Sequence, residues 1–245
     1  MCVERVAHWQ LARRPIEVRR CRNAPCAAYT AHRMSSPTPE ELARLRAGAQ
    51  ELGLSLPDDT LRRLMAYQAE LLKWNSAYNL TAVRDPLQMV VRHLLDSLAV
   101  LPLVRGRVLD VGAGAGLPGL VLAIADPALA VTTLDSNGKK ARFMRHVVRT
   151  LGLPNVEVVE GRAEAYEPAE PFDSVVSRAF ASLPDFFAQT AHLLAPGGQW
   201  VAMKGKLDTG EVAAIPANIE LRETHRLRVP GLNEDRHALI AVLKT

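Results

Sequence analysis

A glycine-dense turn directly follows a short apolar run that ends in an acid. The turn reads Gly-Ala-Gly-Ala-Gly over residues 112–116, after Val-Leu-Asp-Val at 108–111, and an apolar helical stretch follows at 120–125. Because glycine lacks a Cβ, such a turn can adopt positive φ and let a ligand approach the main chain closely. The helix that follows turns its free N–H groups toward that ligand. The pattern therefore predicts a loop that binds a nucleotide-type ligand.

The spacing of the glycines favours one nucleotide cofactor over another. Dinucleotide-binding loops read G-x-G-x-x-G, whereas the tight unit here is Gly112-x-Gly114-x-Gly116, preceded by Asp110. This unit resembles motif I of the S-adenosyl-L-methionine (SAM) methyltransferases. We therefore expect SAM as the cofactor.

Two later segments provide candidate partners for this cofactor. Asp135 follows Gly112 at close to the roughly 20-residue offset expected of an acid that ends the second strand, where a carboxylate can accept both ribose hydroxyls. Alternatively, Asp135 acts only as the N-cap of a helix that begins near Gly138. Ala163 and Glu164 follow the third predicted strand, where residues of SAM enzymes border the adenine ring. Alternatively, Glu164 begins a short surface helix.

Ser177 and Arg178 end the fourth predicted strand, which is where ligands bind in open α/β sheets. Enzymes that methylate exocyclic amines usually carry Asn/Asp-Pro-Pro-Tyr/Phe there, whereas this chain has Ser-Arg-Ala-Phe. Arg178 is a fixed cation with five donors, so it could bind the methionine carboxylate, a phosphate or the O6 edge of a guanine. A structural ion pair is the alternative. We predict Ser177 and Arg178 as catalytic residues, and Arg178 also as a cofactor ligand.

The elements that must position these residues alternate between strand and helix. Strands are predicted at 107–111, 130–135, 155–160, 172–177, 198–204, 218–228 and 236–244, and helices near 117–125, 138–152 and 183–195. This alternation predicts an α/β, Rossmann-like SAM-dependent methyltransferase fold, with a mostly parallel seven-stranded sheet covered on both faces. A Pro-Gly turn at 230–231 makes the last strand antiparallel. Helical patterns at 39–52, 58–75 and 86–101 predict an N-terminal helical cap.

Residues 1–33 differ from the rest of the chain in charge and cysteine content. They hold seven Arg and two Glu, while the remainder carries 23 basic and 24 acidic side chains. They also hold all three cysteines, whose odd number and spacing fit neither a disulfide framework nor a zinc site. We expect an Arg-rich, disordered or non-native extension that is dispensable for activity; an RNA-binding arm is the alternative. The predicted domains are this extension, the cap at 34–104 and the methyltransferase domain at 105–245.

Composition also excludes some function classes. Methylation of pyrimidine C5 requires a thiolate nucleophile, and residues 27–245 contain no cysteine. No apolar run approaches the roughly 20 residues of a membrane helix, and the first residues lack the apolar core of a signal peptide. We therefore expect a cytoplasmic protein that does not associate with a membrane and binds no metal.

Several short segments together match one known family. They are Leu71–Asn75, Tyr78–Thr81, His93–Ser97, Asp110–Gly119, Leu134–Ser136, Ser177–Ala179 and Lys204-Gly205. With them, residues 39–245 resemble the bacterial small-subunit rRNA guanine-N7 methyltransferases, the RsmG or glucose-inhibited division protein B (GidB) family. The resemblance implies methyl transfer from SAM to N7 of a guanine in 16S rRNA. The alternatives are a small-molecule SAM methyltransferase and a non-catalytic module that binds SAM or NAD. The resemblance also implies SAM contacts at Gly112, Leu117, Ala163, Glu164 and Arg178.

An RNA substrate must be held by local positive charge. The residues predicted to bind substrate are His93, Lys139, Lys140, Arg142, Arg145, Lys204 and Lys206. Simple solvation is the alternative for the basic residues, and a structural hydrogen-bonded pair with Asp96 is the alternative for His93. The expected partner is 16S rRNA or the small ribosomal subunit, bound by a monomer.

Overall fold

The computed structural model describes residues 37–178, 180 and 182–244, so the predictions for residues 1–33 lie outside the described residues. The helices before the sheet are α1 (Pro39–Glu51), α2 (Asp58–Tyr78), α3 (Pro86–Met89) and α4 (Asp96–Leu98). A π-helical turn, Val90–Leu95, joins α3 to α4. Thr38 caps α1 by accepting a hydrogen bond from the Glu41 amide at 3.2 Å, which fixes where the helical segment begins.

The rest of the described chain is built on one seven-stranded sheet. Its strands are β1 (Arg107–Val111), β2 (Ala130–Asp135), β3 (Val156–Glu160), β4 (Phe172–Arg178), β5 (Leu194–Lys204), β6 (Ile219–Arg226) and β7 (His237–Leu243). Their spatial order is β3-β2-β1-β4-β5-β7-β6. β1 to β5 are parallel, whereas β7 runs antiparallel to both neighbours. The predicted α/β fold is confirmed, and its strand order reverses between β1 and β4, where ligands bind in open sheets.

Helices cover both faces of the sheet. They are α5 (Gly119–Ala125), α6 (Gly138–Leu151), α7 (Leu183–Thr190) and α8 (Thr209–Ala213). The helices that precede the sheet share a core with α5 and α6, in which Tyr67 and Phe143 are fully buried. On the other face, α7 packs against Trp200 of β5. The helices that precede the sheet therefore pack on one of its faces, together with α5 and α6.

Two boundaries differ from the predictions by four residues or more. The predicted helix 183–195 ends at Thr190, whose hydroxyl donates to the Phe186 carbonyl and accepts from the Trp200 indole. β5 begins at Leu194 rather than 198, because Leu194 pairs with Phe172 across a register shift in β4. Helix α8 was not predicted, since its five residues carry no apolar periodicity.

Candidate cofactor and RNA site

The glycine loop after β1 has the backbone that its sequence predicts. Gly112, Gly114 and Gly116 have φ of 69°, 62° and 86°, in the region that favours glycine. A Cβ on Gly112 would meet no atom within 4 Å, whereas a Cβ on Gly116 would overlap Leu120. Gly112 therefore leaves open space above the loop, while Gly116 lets the loop pack tightly on α5.

Asp110 connects the loop to the start of α5. Its Oδ2 accepts a hydrogen bond from the Gly119 amide at 2.7 Å, and the carboxyl is fully buried. Burial raises the pKa of Asp110 to about 7, although the Gly119 amide and Arg178 oppose the shift. Asp110 thus orients the N-terminus of α5, the helix end that attracts negative charge.

Asp135 binds the glycine loop rather than capping α6. Its Oδ2 accepts from the Gly114 amide and its Oδ1 accepts from the Asn137 amide, both at 2.8 Å. Asn137 is the residue that caps α6, so the interpretation of Asp135 as only an N-cap is wrong. The Lys140 ammonium lies 3.7 Å from Asp135 Oδ2. The carboxylate is therefore fixed at the end of β2, beside the loop.

A cavity of about 300 Å³ opens at the carboxyl ends of β1, β2 and β3, and we call it the glycine-loop cavity. Its lining includes Gly112, Asp135, Lys140, Ala163, Glu164 and Phe180. Ala163 and Glu164 reach it from a short 3-10 segment, Ala163–Ala165, and the cofactor contact of Glu164 stays a prediction. Open space over a glycine loop, flanked by two carboxylates, fits the adenosine part of SAM.

Arg178, at the end of β4, is held by an acid from α4. Its Nη1 lies 3.3 Å from Asp96 Oδ2 and donates to the Arg92 carbonyl at 3.1 Å. Arg236 Nε approaches the other carboxylate oxygen of Asp96 at 3.1 Å. Asp96 is only 2% exposed, so one buried acid fixes two guanidinium groups.

These groups line a second cavity, of about 360 Å³, which we call the basic cavity. Its charged lining residues are Arg92, Asp96, Arg178, Lys204 and Arg236, and two histidines, His93 and His237, complete its polar lining. Four cations and one acid line the cavity, and Glu211 and Glu234 pair with three of those cations. The cations still outnumber these acids, so the cavity favours an anionic or electron-rich ligand.

His93 is positioned by the turn that follows α2. Its Nε2 lies 2.8 Å from Thr81 Oγ1, which also accepts from the Val83 amide, and Asn75 Oδ1 accepts from the Thr81 amide. Burial, with Arg178 nearby, lowers the pKa of His93 to about 4. The imidazole is therefore neutral at neutral pH, and its buried Nδ1 has no partner among the described residues. The alternative for His93, a hydrogen-bonded pair with Asp96, is not formed, since His93 contacts Thr81 while Asp96 pairs with Arg178 and Arg236.

The two cavities adjoin at the end of β4. Arg178 lines the basic cavity, and Phe180, two residues later, lines the glycine-loop cavity. Lys204 of β5 lines the basic cavity, and its ammonium donates to the Phe180 carbonyl at 3.3 Å. The same ammonium pairs with Glu211 at 2.7 Å. The linings of the two cavities therefore approach each other at the end of β4.

Other predicted site residues lie outside these cavities. Ser177 is 2% exposed and donates to the Val111 carbonyl at 2.8 Å, so its hydroxyl ties β4 to β1. Leu117 is buried in the core shared with α6. Lys139 and Lys206 are exposed. Arg142 and Arg145 line a separate groove on α6.

Sequence reasoning missed Arg92 and Arg236. Arg92 pairs with Glu234 at 2.5 Å, and Arg236 pairs with both Glu234 and Asp96. The only sequence feature that indicates Arg92 is its position directly before His93, which is predicted to bind substrate. Arg236 lies in the polar turn before β7, which resembles an ordinary hairpin loop and becomes part of the site only because β7 inserts beside β5.

The described residues contain neither a cluster of metal ligands nor a membrane-spanning helix. Within them, no group of three or more His, Cys, Asp or Glu side chains could hold a metal ion. No helix in this part of the chain is long and apolar enough to cross a membrane.

Comparison with solved structures identifies the class of fold. A SAM-dependent methyltransferase from Aquifex aeolicus superimposes with a TM-score of 0.53 at 19% identity, over 68% of this chain and 97% of that chain. TrmN from Thermus thermophilus gives 0.51 at 18% identity, over 63% of this chain and 53% of that chain. The protein thus has the fold of the SAM-dependent methyltransferases.

Sequence comparison narrows the class to one family. The GidB family, described as rRNA small subunit methyltransferase G, matches residues 60–240. A relative of that name from Chromohalobacter salexigens is 57% identical over 79% of this chain and 93% of its own length. Another from Pseudomonas aeruginosa is 51% identical over 84% of this chain and 98% of its own length. The chain belongs to the GidB family of small-subunit rRNA methyltransferases.

Proposed function

We propose that this protein transfers a methyl group from SAM to N7 of a guanine in 16S rRNA. The observation that carries the proposal is the junction of two cavities at the end of β4, where Arg178 lines one and Phe180 lines the other. The glycine-loop cavity accepts the adenosine part of the cofactor, and the basic cavity accepts the target nucleotide. The methyl group crosses where the two adjoin.

The residues of the glycine-loop cavity bind SAM in complementary ways. Asp135 accepts the ribose hydroxyls with a carboxylate that the Gly114 amide already orients at 2.8 Å. Ala163 and Glu164 border the adenine, and Gly112 leaves room for the cofactor to approach the backbone. Lys140, expected from sequence to bind RNA, lies beside Asp135 and is better placed to serve the cofactor.

Arg178 holds the methionine carboxylate at the junction of the cavities. Asp96 and the Arg92 carbonyl engage only Nη1 of Arg178, so its other guanidinium donors are available to a ligand. When bound, SAM supplies an electrophilic methyl group on a positively charged sulfur. Arg178 is therefore a binding and orienting residue, and Ser177 supports the position of β4 without touching the reacting atoms.

The basic cavity suits a reaction that requires no base. N7 of guanine carries an in-plane lone pair, so no proton has to leave before attack. Asp96 is the only carboxylate among the described residues that line this cavity, and its pairing with Arg178 and Arg236 makes it a poor proton acceptor. The His93 imidazole in the same lining is a weak base, because burial lowers its pKa to about 4. Catalysis therefore depends on alignment of N7 with the methyl group, which can contribute roughly 7–11 kcal/mol.

Positive charge around the cavities guides the RNA. Lys204 lines the basic cavity itself, while Lys139 and Lys206 lie exposed on the surface. His93 contributes a neutral, positioned imidazole that can hydrogen-bond to the nucleotide. The partner is 16S rRNA or the small ribosomal subunit, and the target base must leave its stack to enter the cavity.

Transfer of labelled methyl from SAM tests the proposal. The acceptors are 16S rRNA and small ribosomal subunits that lack N7-methylguanosine, with a small-metabolite mixture as the competing acceptor. We expect label in the RNA of at least one ribosomal substrate. Label only in metabolites, or in no acceptor while calorimetry shows that SAM binds, would contradict the proposal.

A further inference from the structure

A groove of about 430 Å³ lies along the outer face of α6. Its lining includes Trp74 together with Arg142, Arg145 and Arg149. The sequence of α6 contains no acidic residue, and among the described residues Arg142 and Arg149 form no ion pair. Arg145 is the exception, since it pairs with Glu160 at 3.2 Å. The groove therefore presents a concentrated positive charge beside an aromatic ring.

An aromatic column stands at one end of this groove. Tyr78 stacks on Trp74 with ring centroids 5.3 Å apart and an interplanar angle of 28°. Trp74 in turn contacts Phe143 and His146 of α6, at 5.6 and 5.0 Å. Tyr78, 42% exposed, is the outermost ring of the column. Nothing described covers its outer face, and an apolar ring left in solvent can stack on an unpaired base.

The chain itself connects this groove to the basic cavity. Trp74 lines the groove and Val83, nine positions later, lines the basic cavity. Between them, Thr81 forms the contact that positions His93. An extended strand of RNA that places one base in the basic cavity can therefore follow residues 78–83 to the groove. The length of this segment is at most about 20 Å even when fully extended.

We infer that Trp74, Tyr78, Arg142, Arg145 and Arg149 form a second RNA-contact surface, which binds a single-stranded segment flanking the target guanine. An unpaired base stacks on Tyr78, and the arginines of α6 bind the phosphates beside it. This inference rests on the proposed function and deepens it. Single-stranded RNA is favoured over a duplex because the exposed ring offers a base a stacking surface, which paired bases cannot use.

Two substitutions separate the stacking and charge contributions. Tyr78→Ala removes the ring, and Arg149→Gln removes one cation without changing the length of the side chain greatly. The matched controls are Tyr78→Phe, which keeps the ring, and Arg222→Gln on β6, at the opposite edge of the sheet from β3. Arg222 is 60% exposed and pairs with Glu220 at 3.5 Å, so its loss tests a general change in charge.

The measurements are the Kd for a single-stranded 16S rRNA fragment and its dependence on salt. Tyr78→Ala is expected to weaken binding roughly 5-fold or more, as removal of a stacking ring does. Arg149→Gln is expected to reduce the slope of log Kd against log salt by about 0.7. Both variants should keep wild-type affinity for SAM, which shows that they are folded, and both controls should match wild type.

The outcomes distinguish this inference from the proposed function. Wild-type RNA affinity in both Tyr78→Ala and Arg149→Gln, with normal methyl transfer, would overturn the inference and leave the proposed function standing. Equal weakening by Arg222→Gln would also overturn it, because general charge would then explain the effect. A wild-type protein that methylates no ribosomal RNA would instead overturn the proposed function.

Discussion

Arg178 and Asp96 form an ion pair in which Nη1 and Oδ2 lie 3.3 Å apart, with the acid only 2% exposed. The pair joins the end of β4 to α4, and Arg236 occupies the second oxygen of Asp96 at 3.1 Å. One buried carboxylate therefore sets the position of two cations that face the basic cavity. The geometry of the site depends on this acid, which carries no reacting atom itself.

The Asp96→Asn variant should lose methyl transfer more than it loses stability. An amide keeps the shape of the carboxylate but leaves Arg178 without its charge partner and Arg236 with Glu234 alone, so both guanidinium groups shift. We expect kcat/KM to fall about tenfold or more, consistent with the loss of charged hydrogen bonds of about 1.5–3 kcal/mol. Steady-state methyl transfer measures this. The control is Asp59→Asn, whose pair with Arg62 is exposed; activity equal to wild type in Asp96→Asn would refute the role of Asp96.

Substitution of Asp135 should act on the cofactor alone. Asp135→Asn removes the negative charge of the carboxylate that accepts a hydrogen bond from the Gly114 amide. We assign this carboxylate to the ribose hydroxyls. We expect SAM affinity to fall by roughly 10- to 100-fold, the equivalent of about 1.5–3 kcal/mol. Calorimetric titration of SAM gives the Kd, and binding of an rRNA fragment provides the internal control. An unchanged Kd for SAM would remove Asp135 from the cofactor site.

Gly119→Ala should destabilise the protein at the start of α5. An added Cβ would lie 2.8 Å from Asp110 Oδ2 and 2.9 Å from Asp110 Cβ, in a buried region that cannot give way. Overpacking of this kind costs about 1–3 kcal/mol. At Gly161 the nearest atom is Leu134 Cδ1 at 3.8 Å, so Gly161→Ala is the matched control. Urea denaturation of both variants tests the difference, and equal stability would show that the site accommodates a Cβ.

His93 should make the free energy of unfolding fall as the pH is lowered. Its pKa falls from 6.5 to about 4 on folding, because burial opposes the charged form. The unfolded chain then binds more protons, so this contribution to stability is present above pH 6.5 and is lost as the pH falls toward 4. His93→Gln lacks this dependence. The free energy of unfolding of wild type should therefore fall relative to the variant as the pH is lowered, measured by urea denaturation.

Asp110 should make the free energy of unfolding fall as the pH rises. This dependence is opposite to that of His93 and serves as an internal check. Burial raises its pKa from 3.8 to about 7, so its contribution is present at low pH and is lost as the pH rises through this range. The free energy of unfolding of wild type should fall relative to Asp110→Asn as the pH rises. The two differences must change in opposite directions, and a shared direction would contradict whichever assignment predicts the other sign.

Much of this architecture follows from the sequence because local patterns encode it. Alternating apolar strands and helices predict the seven strands, and the Gly112–Gly116 spacing predicts the loop at the end of β1. The pairing of Arg178 with Asp96 was not predictable, since the two residues lie 82 positions apart and meet only through the fold. The π-helical turn at Val90–Leu95 was hidden as well, because its sequence has the periodicity of an ordinary helix.

The central claim, transfer of methyl to guanine N7 of 16S rRNA, is tested most directly by the chemical identity of the product. 16S rRNA or small subunits that lack N7-methylguanosine are incubated with labelled SAM and the protein, and the RNA is digested to nucleosides and analysed by mass spectrometry. The account predicts label in N7-methylguanosine, absent when Arg178→Ala replaces the wild type. Label in another methylated nucleoside, or no labelled nucleoside from either substrate, would contradict it.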